Sequence, residues 1–387
     1  MASIRRPALA AAALVAALTL TATACDPQDE AGGKPDSTAD HSNSDLAKGL
    51  KERLRGLGVD LEKWKGGAWK DWDRDNWLRE ASDFINPIID NLWDPERMHK
   101  AKDPANEVNP EALNEQGVTD PVPAPVTAKP VPTPYHENAA PVGKVFFDSP
   151  KGAMVCSATV VKDPKNPGKS NLVWTAGHCV HSGSDGGWYR NIAFVPSFND
   201  TGVEPSQLSS TPREKIAPYG QWWADWASTS SQWISGGSNS GGEGAPYDFA
   251  VLHVQPENGG GKSLEETVGA ALPVEFAAPA ITELDTMGAW GYPAAPPYNG
   301  VKMHSCVDNP SRLSIKAGLP TMYRIGCTMT GGSSGGGWFA PQANGQPALV
   351  SNTSIGPASG NGWLAGPRLG SEAKAVYTAV SDKFAGN

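Results

Sequence analysis

Two adjacent serines in a glycine-rich stretch are the first residues of this chain that could do chemistry. They are Ser333 and Ser334 in the segment TGGSSGGGWF, where five glycines surround them. A serine becomes a nucleophile when a histidine can take its proton and a carboxylate holds that histidine in place. Without such partners, a run of glycine and serine is typical of a flexible connector that does no chemistry. The partners therefore decide between a nucleophile and a linker.

Candidates for both partners lie earlier in the chain. His178 stands in WTAGHC, where a strand that ends in small residues sets an imidazole at its rim. Asp248 opens YDFAVLHV, in which Ala250, Leu252 and Val254 share its side and are expected to be buried. A carboxylate that enters an apolar core needs a hydrogen-bond partner, and an imidazole N–H is a suitable one. We therefore expect Asp248 to hold His178.

The elements that must position these residues are short strands. From about residue 138 onward, β-rich runs such as GKVFF and YRIGCTMT are separated by Gly, Pro, Asn and Asp, which predicts an all-β domain over residues 138–387. The 387 residues include 43 Gly and 34 Pro, so long helices cannot dominate the chain. The net charge is −9 and no basic cluster follows the first few residues, which argues against nucleic acid as a partner.

Together, WTAGHC, YDFAVLHV and GGSSGGG resemble the motifs of the chymotrypsin-like serine proteases, over roughly residues 145–360. The corresponding family sequences are TAAHC, D-x-A-L and G-D-S-G-G. The resemblance implies an all-β, chymotrypsin-like double β-barrel with Ser334 as nucleophile, His178 as general base and Asp248 as the residue that orients the base. The glycines of the turn would let the N–H groups of Gly332 and Ser334 converge as an oxyanion hole.

The order of these residues along the chain tests the main competing fold. An α/β-hydrolase also places its serine in a G-x-S-x-G motif, but its histidine follows the serine. Here the last histidine, His304, precedes Ser334. The order His178, Asp248, Ser334 is that of the chymotrypsin-like enzymes. We expect an endopeptidase that cleaves protein or peptide substrates through an acyl-enzyme; the alternative is a catalytically silent surface or binding protein on the same fold.

Several positions depart from the family pattern and leave the substrate open. Ser333 replaces the aspartate that binds the new N-terminus in trypsin-type zymogens, so activation by that salt bridge is not available. Thr328 stands where trypsin has its acidic pocket residue, which disfavours cleavage after Lys or Arg.

The other histidines are not expected to be catalytic: His181 is expected in a solvated loop, and His253 on the strand face opposite Asp248. No Cys or His spacing resembles a zinc site, so we expect neither a metal nor a cofactor.

The chain has five cysteines, which leave one over if the other four form disulfides. Cys156 and Cys179 match the bridge that the family places next to the histidine, which leaves Cys306 and Cys327 to pair. The fifth, Cys25, follows a basic start and an apolar run, so residues 1–24 are predicted to be an export signal. Lipidation of Cys25 and ordinary cleavage after Ala24 both remain open. Either one predicts an extracellular or cell-surface protein, with membrane anchoring if Cys25 carries lipid.

The region between the signal and the β-domain is predicted to have three parts. Residues 25–44 are polar and lack aromatic residues, which indicates a disordered tether. Residues 45–119 combine helical periodicity with several tryptophans, which predicts a small helical module that is either a prosegment or a permanent spacer. Residues 120–137 are rich in proline, which predicts a semi-rigid linker. We expect the protein to be a monomer.

Overall fold

The structure is a computed structural model of the chain, and it describes residues 52, 55–56, 58–72, 77–79, 84–104, 106–108, 118–238, 241–357 and 362–386. The predicted export signal, Cys25 and the predicted tether lie outside the described residues. Within the described ranges, no helix is both long enough and apolar enough to cross a membrane.

Short strands dominate the described residues, with a few helices between them. The strands are β1 (Glu107–Val108), β2 (Lys129–Pro130), β3 (Val142–Ser149), β4 (Gly152–Val161), β5 (Leu172–Thr175), β6 (Arg190–Pro196), β7 (Trp222–Thr229), β8 (Ala250–Pro256), β9 (Met287–Gly291), β10 (His304–Asp308), β11 (Ser311–Leu313), β12 (Met322–Cys327), β13 (Gly337–Pro341), β14 (Pro347–Asn352), β15 (Gly356–Pro357) and β16 (Gly362–Gly366). The α-helices are α1 (Leu61–Lys65), α2 (Pro95–Lys100), α3 (Tyr135–Asn138), α4 (Arg213–Ile216), α5 (Ser231–Gly236), α6 (Leu264–Val268) and α7 (Ser371–Lys383).

Six antiparallel strands close the first barrel, in the order β3-β4-β5-β8-β7-β6. Side chains alternate across each strand, so neighbouring residues face opposite sides of the sheet. In β3, Val145 and Phe147 point into the barrel core, whereas Phe146 belongs to a second core outside the barrel that includes Trp93. All eight residues of β3 are buried for this reason. Part of the outer face of the barrel is therefore covered by the chain that precedes it.

The second half is built from a five-stranded sheet, β14-β13-β9-β10-β2, and a three-stranded sheet, β11-β12-β16. Both sheets contribute to one apolar core, which contains Trp338 from the first sheet and Tyr323 from the second. The disulfide between Cys306 and Cys327 joins β10 to β12 and so ties the two sheets together. These two halves confirm the predicted all-β fold.

The proline-rich segment predicted as a linker is part of the second half. Its strand β2 forms the edge of the five-stranded sheet by pairing with β10, and the Asp120 carboxylate binds the Arg312 guanidinium at 2.7 Å. Proline lacks a backbone donor, and sheet edges tolerate it because one side of an edge strand needs no partner. An edge strand and a semi-rigid linker share this composition, so the domain boundary over residues 120–137 stays a prediction.

The described part of residues 45–119 contains fewer helical residues than expected. It forms α1, α2 and a short 3-10 helix at Ala68–Lys70. Residues 84–94 lie within the region predicted to be helical, but they form no helix. Asn86 shows the physical reason, because its side chain hydrogen-bonds the backbone of two barrel strands and holds this stretch along them. The other domain boundaries stay predictions.

Candidate active site

His178 and Asp248 are held together by the pairing of two barrel strands. His178 lies on a one-turn 3-10 helix just after β5, and Asp248 lies just before β8. These strands pair with Thr175 opposite Ala250, which brings the two adjoining segments side by side. The His178 Nδ1 atom lies 2.7 Å from Asp248 Oδ2, and the His178 backbone N–H donates to Asp248 Oδ1 at 2.8 Å. Both side chains are buried, so a carboxylate fixes the imidazole away from water.

Ser354 also binds the Asp248 carboxylate, and no motif in the sequence pointed to this residue. Its Oγ donates to Asp248 Oδ2 at 2.5 Å. The Asn352 side chain adds a hydrogen bond to the Asp248 backbone carbonyl at 3.0 Å. A buried carboxylate needs such donors, because an unpaired charge in the interior is costly. Asp248 is therefore held from β14 and its following loop as well as from His178.

Ser334 lies on a tight turn between β12 and β13 that packs on the loop carrying His178. Gly335 has φ of +75°, and a Cβ added there would lie 2.1 Å from Thr175 Oγ1 and 2.9 Å from the Ala176 nitrogen. Only glycine allows so close an approach with this backbone conformation. The glycine-rich stretch is thus a constrained turn, and it places Ser334 beside the His178 segment.

Ser157, in β4, links the serine turn to the histidine. Its backbone N–H donates to the Ser334 carbonyl at 2.7 Å, and its hydroxyl donates to the Gly332 carbonyl at 2.9 Å. The preceding residue, Cys156, forms a disulfide with Cys179, which directly follows His178. Two consecutive residues of β4 therefore hold both the turn with Ser334 and the turn with His178.

The two adjacent serines differ in their surroundings. Ser333 Oγ donates to the Thr330 carbonyl at 2.7 Å, which engages this hydroxyl within the turn. Among the described residues, no group hydrogen-bonds His178 Nε2, the nitrogen that faces away from Asp248. The N–H groups of Gly332 and Ser334 likewise donate to no carbonyl within the described ranges. These are the groups that a serine hydroxyl and an oxyanion would need.

The cysteines pair as the sequence analysis expects, with Cys156 bonded to Cys179 and Cys306 bonded to Cys327. Cys156, His178 and Cys179 bring their possible ligand atoms within 4.8 Å of one another. The two sulfurs are already bonded to each other, however, and a metal binds the thiolate form of cysteine. This cluster is therefore a disulfide beside an imidazole.

The prediction of a solvated His181 is wrong, because Trp188 packs edge-on against this ring at 5.0 Å and the side chain is buried. Burial lowers the pKa of His181 to about 4, since desolvation disfavours the charged imidazole. The other histidine set aside, His253, pairs with Asp225 at 2.6 Å. Thr328 hydrogen-bonds Tyr298 and the backbone of residue 128, so this side chain is engaged within the second half.

Three solved structures resemble this chain. A thermostable serine protease named AL20, from an extremophilic microorganism, is 32% identical over 63% of this chain and 98% of its own, with a TM-score of 0.49. The protease Anisep from Arthrobacter nicotinovorans is 28% identical over 65% of this chain and 99% of its own, with a TM-score of 0.49. A Glu endopeptidase is 16% identical over 68% of this chain and 100% of its own, with a TM-score of 0.48. No family profile and no curated protein matches the chain.

Proposed function

For a chain that resembles the chymotrypsin-like serine proteases and has their double β-barrel fold, we propose the function of an exported serine endopeptidase. The observation that carries the proposal is the buried pair of His178 and Asp248, with the Ser334 turn packed against the loop that bears the histidine. Protein or peptide chains are the proposed substrates.

The proposed reaction uses each side chain in one role. Ser334 Oγ attacks the carbonyl carbon of a bound peptide while His178 Nε2 accepts the hydroxyl proton. His178 then gives this proton to the leaving amine as the C–N bond breaks, and a water molecule hydrolyses the acyl-enzyme by the same route. Asp248 keeps the proton on Nδ1 and stabilises the imidazolium, because its carboxylate lies 2.7 Å from that nitrogen.

The proposed oxyanion hole consists of the backbone N–H groups of Gly332 and Ser334. Gly332 has φ of +92°, a conformation that glycine adopts without strain. Since these amides donate to no carbonyl of the described residues, they support a role in binding the developing negative charge. The loss of one such donor typically costs about 3 kcal/mol of barrier.

Export through the signal of residues 1–24 is part of the proposal, as is attachment to the cell surface if Cys25 is lipidated. Both disulfides support an oxidising compartment, because such bonds persist outside the cytosol. Mass spectrometry of the mature protein tests the attachment. A diacylglycerol mass on Cys25 that is absent from Cys25→Ala supports it, and a mature protein whose Cys25 sulfur is unmodified contradicts it.

A fluorophosphonate probe tests the enzymatic part of the proposal. We expect stoichiometric labelling of the purified full chain at Ser334 after long incubation, no labelling of Ser334→Ala, and full labelling of the matched control Ser333→Ala. Labelling that survives in Ser334→Ala, or that is absent in the wild type, would favour the silent binding protein over the enzyme.

A further inference from the structure

Three residues ahead of the β-domain lie across the site that contains Ser334 and His178. Residues 106–108, which we call the cover, include the strand β1. It pairs in parallel with β15, with Glu107 opposite Gly356 and Val108 opposite Pro357. The strand β15 begins two residues after Ser354, which binds Asp248. An exposed strand edge binds an extended peptide through its backbone groups. This edge is therefore occupied by a segment of the same chain.

The side chain of Asn106 reaches the groups proposed for catalysis. Its Nδ2 donates to the Ser354 carbonyl at 2.9 Å and lies 3.2 Å from His178 Nδ1 and 3.5 Å from Asp248 Oδ2. The Ser354 carbonyl and the Asp248 carboxylate both accept hydrogen bonds, so the NH₂ end of the Asn106 amide faces these groups. Asn106 thus presents a side-chain amide, and not a peptide carbonyl, to His178 and Asp248.

Val108 anchors the other end of the cover in an apolar pocket. It is buried in a cluster with Leu313, Met322, Ile355 and Trp363. A Cβ added to Gly241 would lie 2.8 Å from Val108 Cγ2, so the pocket is closed from that side as well. A branched aliphatic side chain therefore fills this position tightly.

The cover leaves little room at the catalytic residues. His178 is 1% exposed and Ser334 is 6% exposed. The space that remains beside Ser334 is a cavity of about 110 Å³, which Asn106 and Glu107 help to line. An extended peptide that paired with β15 would occupy the same edge as Glu107 and Val108. Binding of the cover and binding of such a peptide are therefore mutually exclusive.

We propose that residues 106–108 inhibit the protease from within the chain, and that they must leave the edge of β15 before a peptide substrate can bind. This inference rests on the proposed serine endopeptidase function and concerns its regulation. The full chain is thus a latent form. Its activation does not use the salt bridge of trypsin-type zymogens, for which Ser333 provides no carboxylate.

Two rates measured on the full chain test the inference. The first is the labelling of Ser334 by a fluorophosphonate. The second is the carbethoxylation of His178 by diethyl pyrocarbonate, read by mass spectrometry of the peptide that contains it, which reports access without requiring catalysis. Val108→Asp places a charge in the apolar pocket, and Asn106→Ala removes the amide contacts. Val122→Asp is the matched control, because Val122 is 66% exposed.

We expect both rates to rise about tenfold or more in Val108→Asp and to rise in Asn106→Ala, while Val122→Asp matches the wild type. The reason is that a site open in about 10% of molecules or fewer reacts at a rate reduced by that fraction. Asn106→Ala decides the question if Val108→Asp does not fold. If the labelling of Ser334 and the carbethoxylation of His178 are unchanged in both variants, the proposed inhibition by the cover is wrong. Labelling of Ser334 that is equal in all variants would still support the protease. Faster modification of His178 without any labelling of Ser334 supports the cover and overturns the protease.

Discussion

The N-terminal part of the chain contacts the β-domain in two places that differ in depth. One contact, which we call the anchor, comprises residues 60–72, 77–79 and 84–104. The other is the cover. In the anchor, Trp93 is fully buried, its Nε1 donates to the Asn191 carbonyl at 2.7 Å, and its own carbonyl accepts from Gln221 at 2.6 Å. The cover makes a two-residue strand and a few amide contacts.

Arg190 of the barrel adds further contacts to the anchor. The Arg190 guanidinium lies over the rings of Trp64 and Trp72, at 5.0 Å and 4.0 Å from their centroids. It also donates to the carbonyls of Trp69 and Asp71. A desolvated arginine between aromatic rings binds more strongly than an exposed one.

The larger number of contacts in the anchor suits attachment to the barrel, whereas the few contacts of the cover suit the inhibition that we propose. The free energy of local opening increases with the apolar surface and the hydrogen bonds that opening exposes. We therefore expect the cover to open while the anchor stays in place, so that release of the site would not require the N-terminal segment to leave the barrel.

Trp93→Ala removes the centre of the anchor and leaves a large cavity next to Phe146. We expect a loss of about 4 kcal/mol in the free energy of unfolding, the range typical of a fully buried tryptophan. Urea denaturation in a Ser334→Ala background measures it without self-digestion. Val122→Ala, at an exposed position, is the control and should change stability by less than about 0.5 kcal/mol. A loss below about 1 kcal/mol for Trp93→Ala would remove the distinction between the contacts.

Acid should weaken the anchor through His181. Its Nε2 contacts the Arg79 carbonyl at 3.1 Å and its Nδ1 accepts from the Gly183 N–H at 3.0 Å, so the fold requires the neutral ring. Burial lowers its pKa from 6.5 to about 4. The unfolded chain therefore binds a proton first as pH falls, and the stability present above pH 6.5 is lost progressively down to about pH 4.

The expected contribution of His181 over that pH range is on the order of 3 kcal/mol. Other groups also titrate there, so the measurement is the difference in unfolding free energy between the wild type and His181→Gln at several pH values. We expect this difference to shrink on acidification, because the glutamine variant lacks the protonation. Parallel pH profiles would show that His181 does not couple to folding.

Arg190→Met tests the aromatic contact of the anchor. The change keeps much of the apolar volume but leaves the carbonyls of Trp69 and Asp71 without their donor, and we expect a loss of about 2 kcal/mol. Thermal and urea unfolding measure it. Arg213→Met is the control, because the Arg213 side chain is 45% exposed and its pair with Glu257 should contribute less than about 1 kcal/mol. Equal losses in both variants would contradict a special role for the rings.

Val108→Ala should give the smallest change in stability and a clear change in access. It removes two methyl groups from the cover, and we expect a loss of about 1 kcal/mol, together with faster fluorophosphonate labelling of Ser334. The two measurements are made on the same preparation. A loss as large as that of Trp93→Ala, with unchanged labelling, would make the cover a structural element like the anchor.

The sequence predicted the parts of the fold and site that depend on local pattern. The strand runs and the motifs around His178, Asp248 and Ser334 are each contained in about ten residues, so their types and order were visible in the chain. The tight turn at Ser334 was likewise visible, because the glycines that permit it are adjacent.

What the sequence did not predict depends on partners far away in the chain. Asn106 binds a carbonyl 248 residues later, and Ser354 meets Asp248 across 106 residues. Polar residues in an unpatterned stretch carry no mark of such contacts. The strand β2 was assigned to a linker for a related reason, because its role depends on β10. His181 was placed in solvent although its Nε2 contacts the Arg79 carbonyl, 102 residues earlier in the chain.

Ser354 joins the proposed catalytic pair to the proposed cover through two different groups of one residue. Its hydroxyl completes the hydrogen bonds of Asp248, and its carbonyl receives Asn106. It is also synthesised after His178, Asp248 and Ser334, so no earlier stage of synthesis contains the whole arrangement. The docking of this single residue both finishes the catalytic pair and creates the place where the inhibitor binds. The support of the proposed triad and the acceptor for the proposed cover are therefore expected to form together, because both depend on the position of this one residue.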